Sequence, residues 1–200
     1  MLLSASDAVL ALASVYALMR LRRLHVPGCI RWAAQVGIAL IGLAAAVGAL
    51  RFGGLQSLGE VHQLLSDQSA IVAIPMLAIA VFARHNGSSS PLRGFWRVSV
   101  LYVLFGLFLV DILLQQRALA ALLSVATLAM VIGCQPRQSK WPTLLVAGLL
   151  AAGGVRSWNA LPLEPRLIGL HLILAIWLAI YIHALEGAAD AGQPVQPSTG

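Results

Sequence analysis

The chain reads as an all-α polytopic membrane bundle of seven transmembrane helices, with its N-terminus outside and its C-terminus in the cytoplasm. Three observations carry that reading. Sixty per cent of the 200 residues are hydrophobic, 10% are charged and the mean hydropathy is +0.87. Soluble domains have roughly 45 to 50% apolar and 25% charged residues, so a water-soluble core is excluded. Apolar stretches of membrane length follow one another with short loops between them. Finally, the basic residues collect on every second loop, as they do where loops stay in the cytoplasm.

Helix one is expected over Leu2 to Met19. Asp7 lies near its start and Arg20, Arg22 and Arg23 follow it, the reverse of the charge order in a secretory signal, so it is read as a retained span. Helix two is drawn over Trp32 to Leu50 and helix three over Val61 to Ala83, with Pro75 as the expected site of a kink. Helices four, five and six are drawn over Phe95 to Leu114, Ala118 to Cys134 and Pro142 to Val155. Trp141 and Trp158 flank the last of these at a helical separation of about 26 Å, close to one hydrocarbon thickness. Helix seven is drawn over Pro165 to Leu185. Residues 1–186 form one transmembrane domain, and 187–200, rich in Gly, Pro and Ser, form a cytoplasmic tail.

Orientation follows from the loops. Arg20, Arg22, Arg23, Arg31, Arg84, Arg93, Arg97, Arg137 and Lys140 fall on one side, and only Arg51, Arg117, Arg156 and Arg166 on the other. The basic balance of +6 is therefore a topology signal, and no nucleic-acid partner is expected. A bacterial inner membrane is the expected location, with membrane lipids as partners. Cys29 and Cys134 lie on the reducing side and are read as inert thiols.

Two segments repeat small residues four apart: Ala33 and Gly37, Gly42 and Ala46, Ala44 and Gly48 in helix two, and Ala147 and Ala151, Gly148 and Ala152 in helix six. Small residues let backbones approach closely in lipid, so these two helices are expected at the centre of the bundle.

Function has to be sought among ionisable residues at membrane depth, which are costly unless sheltered or wet. Asp7, Glu60, Asp67, Asp111, Glu164, His62 and His171 all gather at the outer helix ends. His62, Ser66 and Ser69 share one helix face, whereas Asp67 points away from them. Ser4 and Asp7 share a face of helix one. Ser4, Asp7, His62, Asp67, Asp111, Gln115, Gln116 and His171 are expected to converge on an outward-facing pocket, with His62 and His171 binding a divalent metal such as zinc or acting as acid and base, and Asp67 and Asp111 as the catalytic carboxylates. The competing reading pairs the acids with Arg51, Arg117, Arg156 and Arg166 in interfacial ion pairs.

Seven helices with the N-terminus outside, and a histidine early in helix seven, resemble the alkaline ceramidase and adiponectin receptor superfamily of intramembrane zinc hydrolases. The likeness is one of architecture alone. The family pattern has Ser-x-x-x-His near helix two and His-x-x-x-His on helix seven; here helix two ends in Arg51 and position 175 is Ala. Retinal is excluded, because the sole lysine, Lys140, lies in a loop. A dihaem arrangement of His62 with His171 and His85 with His183 fails on spacing: the second helix offers about 18 Å where the first needs about 35 Å. Two functional classes follow. One is a metal-dependent hydrolase or binding protein for a lipid or small polar molecule. The alternative is a non-catalytic accessory subunit of a larger membrane complex, contacted through the tail 187–200.

Overall fold

The computed structural model describes residues 2–85 and 161–190, together with the single positions 115, 145, 148, 149, 151, 152 and 155. Among the described residues the protein is helical and has no strand. Helix α1 runs Leu2–Arg23 and α2 runs Gly28–Phe52. After a single 3₁₀ turn at Gln56–Leu58, a third crossing is made of α3 (Gly59–Gln68), a wider π turn (Ser69–Ala73) and α4 (Ile74–His85). Helix α5 runs Leu163–Asp190. Four segments are long and apolar enough to cross a membrane: Leu2–Arg23, Ile30–Phe52, Gln56–Val81 and Leu163–Glu186. This is the architecture of a multi-pass membrane protein. They correspond to sequence helices one, two, three and seven; helices four and five, and Asp111 with them, lie outside the described residues.

Each of the four helices extends past its apolar run. The added residues are ones such as Arg20, Arg22 and Arg23, whose long side chains let a helix continue while the charge reaches water.

The first three crossings form an antiparallel meander. Ser4 Oγ donates to the Ala49 carbonyl at 2.8 Å, and Ser14 lies against Gly42, so α1 and α2 run in opposite directions. Lower on α2, Gly37 meets Ala73 and Leu77 of the third crossing, while Ser69 Oγ shares its proton between Leu65 O at 2.7 Å and Leu40 O at 3.0 Å. In lipid, cross-helix hydrogen bonds contribute about 0.6 kcal/mol on average. Close packing at the glycines therefore outweighs them. A Cβ on Gly42 would stand 2.8 Å from Ser14 Cβ, and one on Gly37 would stand 2.7 Å from Leu77 Cγ. Among the described residues α2 packs on α1, on α3 and on α4.

Pro75 explains the π turn. It brings no N–H to the Ile71 carbonyl and its ring crowds that oxygen, so the turn ahead of it cannot close in the α pattern and opens by one residue.

Helix α5 lies parallel to α1. Their N-terminal ends meet at Asp7 and His171, and their C-terminal ends at Arg20 and Glu186. The buried core between the crossings is apolar, with Leu21, Ile38, Leu77, Leu178 and Leu185 fully enclosed. Small residues of sequence helix six serve α5: a Cβ on Gly148 would stand 2.6 Å from the Trp177 ring, and Trp177 Nε1 donates to Leu145 O at 2.8 Å.

Candidate functional site

The polar centre of the molecule is Asp7. Its position on α1 turns it into the seam between α2 and α5, and its side chain is 1% exposed. From α5, His171 brings Nδ1 to 3.2 Å from Asp7 Oδ1. The same nitrogen lies 3.1 Å from Ser6 Oγ. Ser6 donates its only hydroxyl proton to Leu3 O at 2.8 Å, so it can only accept from the ring. His171 is thus held through Nδ1, which faces both the Asp7 carboxylate and the Ser6 hydroxyl. Serine, histidine and aspartate stand together, but they do not form a nucleophilic triad. A triad needs the serine and the aspartate on opposite ring nitrogens.

His62 approaches from the third crossing. A Cβ placed on Gly48 would lie 2.5 Å from Asp7 Oδ2 and 2.7 Å from His62 Nε2, so the two atoms are no farther apart than those two lengths end to end. Any side chain at position 48 would occupy the place where they meet. His62 Nδ1 is 3.1 Å from Arg51 Nη1. A guanidinium has no acceptor, so Nδ1 must accept and the ring proton sits on Nε2, on the Asp7 side. Ser66 Oγ, one turn along α3, is 3.4 Å from the same Nε2. Phe52 stands edge-on to the His62 ring at 5.6 Å and carries the Arg51 guanidinium 5.0 Å above its centre. The result is a row of groups, Arg51, His62, Asp7 and His171, drawn from four helical segments.

Asp7 Oδ2 is buried and has no hydrogen-bond partner among the described residues. An acceptor left in that state inside a membrane bundle is expensive. In the same row, Arg51 Nε is likewise buried without a hydrogen-bond partner among the described residues.

The sequence-predicted residues divide as follows. His62 and His171 are brought to the same carboxylate. That carboxylate belongs to Asp7, which the sequence offered only as one of several converging groups. Asp67 is half-buried on α3, five residues beyond His62 and on another side of the helix. Glu60 and Glu164 are exposed, and Asp111 lies outside the described residues. Asp7 faces imidazole, where an arginine partner was the competing expectation. Arg51 likewise reaches a histidine. His25, on the arginine-rich loop, is exposed as expected.

Among the described residues no three His, Cys, Asp or Glu side chains are grouped so as to hold a metal ion. The Arg51 guanidinium beside His62 also opposes a second cation there. Comparison with known protein families, with curated proteins and with solved structures finds no match for this chain.

Proposed function

We propose that the chain is a seven-span protein of a bacterial inner membrane whose outward-facing polar site, built on Asp7, His171 and His62, binds the polar part of a lipid or a small polar molecule and handles it by acid–base chemistry. The observation that carries this is the Asp7 carboxylate, 1% exposed, with His171 Nδ1 at 3.2 Å on one oxygen and His62 across Gly48 from the other. Ionisable groups at such depth are retained where they act on something. Acid–base work suits an imidazole that a buried carboxylate orients through one nitrogen, as Asp7 does for His171. Zinc held by His62 and His171 is less well supported, because Arg51 already stands on the His62 ring.

Seven spans are supported by parity. Three described crossings leave the chain at the end of α4, on the side of Arg20 and Arg23, and α5 begins on the opposite side. An odd number of crossings has to lie between, and the three apolar stretches from Phe95 to Val155 supply it. The loop arginines put the Asp7 end outside.

Native mass spectrometry of the full-length protein, released with its lipids, tests the reading. A molecule retained by wild type and lost from Asp7→Asn and His171→Ala is the expected result, and elemental analysis of the same sample reads any zinc. Identical retention by all three proteins would overturn it. Recovery of a stoichiometric larger partner in place of a ligand would turn the assignment to the accessory-subunit class.

A further inference from the structure

Resting on the reading of this end of the bundle as a place where a lipid is bound, we propose that Arg51 holds the phosphate of a phospholipid headgroup beside His62. Arg51 is the last residue but one of α2 and of the apolar segment Ile30–Phe52, the level at which headgroup phosphates lie. Its guanidinium is held in place rather than left to reach into water. The Phe52 ring lies under it at 5.0 Å, and Nη1 donates to His62 Nδ1 at 3.1 Å. The start of α3 closes in beside it, where a Cβ on Gly59 would stand 3.8 Å from Nε and 4.0 Å from Nη2. Phe52 and His62 brace each other edge to face at 5.6 Å.

These contacts fix the cation without answering its charge. Among the described residues no carboxylate lies within ion-pair distance of Arg51, and Glu60, the acid nearest to it in sequence, is exposed. One of its five N–H donors is used on His62, and Nε is buried with no hydrogen-bond partner among the described residues. A cation at the margin of the hydrocarbon, short of both a counter-ion and acceptors, calls for an anion carrying several oxygens. A phosphate is that group, and the planar guanidinium is the side chain that grips it in a fork. The surroundings favour a lipid over a free anion. Leu50 and Leu55, before and after Arg51, are 52% and 53% exposed, and Val61 and Leu64, on α3 to either side of His62, are 48% and 47% exposed. Such a border suits acyl chains and offers nothing to inorganic phosphate. His62 would then stand between the anchored phosphate and Asp7, with Nδ1 toward one and Nε2 toward the other.

Native mass spectrometry of the full chain, titrated with phosphatidylglycerol and with a glucosyl diacylglycerol of the same acyl chains, tests the proposal. Wild type should take up one phosphatidylglycerol at least about tenfold more tightly than the phosphate-free lipid, a preference lost in Arg51→Gln and partly kept in Arg51→Lys. If Arg51→Gln fails to fold, Gly59→Asp serves. Position 59 has helical backbone, an acid suits the first turn of α3, and its carboxylate comes within hydrogen-bond reach of Arg51. That variant should keep its melting temperature and lose the preference, because the chain now supplies the anion. Equal affinity of wild type for the two lipids, or undiminished phosphatidylglycerol uptake by Gly59→Asp, overturns the assignment. Displacement of the lipid by inorganic phosphate alone at equal concentration would also overturn it, leaving a free-anion site. Phospholipid lost from Arg51→Gln but kept by Asp7→Asn and His171→Ala would leave the phosphate site standing and remove the acid–base reading. A phosphate-free molecule lost from those two variants and kept by Gly59→Asp would do the opposite.

Discussion

Asp7 Oδ1 of α1 and His171 Nδ1 of α5 stand 3.2 Å apart. Replacing Asp7 by Asn keeps the shape but takes the carboxylate charge away from His171 Nδ1. Thermal unfolding should show a loss of about 1–3 kcal/mol, the range for a buried group left unsatisfied. Asp7→Ala should be worse, since it takes the carboxylate away from His171 and also leaves a cavity in the seam.

Gly42 and Gly48 should separate fold from site. An added methyl at 42 meets Ser14 Cβ, an atom fixed to the α1 backbone, so Gly42→Ala has to push the two helices apart, at about 1–3 kcal/mol. At 48 the methyl meets the ends of two side chains, Asp7 and His62, which can swing away. Gly48→Ala should keep most of the melting temperature and lose the binding measured by native mass spectrometry. Equal melting losses in the two variants would contradict this.

At the opposite end of the same helix pair, Arg20 and Glu186 are 38% and 24% exposed. An ion pair so open to solvent contributes about 0–1 kcal/mol. A double-mutant cycle of Arg20→Ala and Glu186→Gln is expected to give a coupling in that range, well below the cost of Asp7→Ala.

Tyr181 is fully buried, stacked on Trp177 at 5.6 Å, and its hydroxyl has no hydrogen-bond partner among the described residues. Tyr181→Phe should hold or raise the melting temperature, because it removes an unsatisfied polar atom without changing the packing. A marked loss would reveal a partner for that hydroxyl.

Parallel α1 and α5 place Leu2 and Leu163 at one membrane face, both well exposed at 71% and 64%. In a background with Cys29 and Cys134 replaced by Ser, cysteines at positions 2 and 163 should react with a membrane-impermeant maleimide from the same side. Reaction from opposite sides would break the parity argument and with it the count of seven.

The four described crossings were legible because a predominantly apolar segment of membrane length is too long to be buried in a small water-soluble core and fits a bilayer instead. The face shared by His62 and Ser66 was legible from helical period, and so was the close packing of α2 from its glycines. What the period does not convey is which helix a face will meet. Asp7 and Asp67 each sit among polar neighbours in sequence, and only the return of α5 beside α1 makes Asp7 the carboxylate that orients His171. Pro75 announced a break in the third helix, but that the break would take the form of a π turn at Ser69–Ala73 depends on how Ser69 and Leu40 meet across helices.

The parallel seating of α1 and α5 has a consequence for biosynthesis. Ribosomes deliver α1 well before α5, so the aspartate enters the bilayer long before its imidazole exists. Until translation is nearly finished, that acid has to be shielded by the insertion machinery or carried uncharged. A nascent chain stopped ahead of residue 163 would hold an orphan carboxylate, a ready mark for membrane quality control.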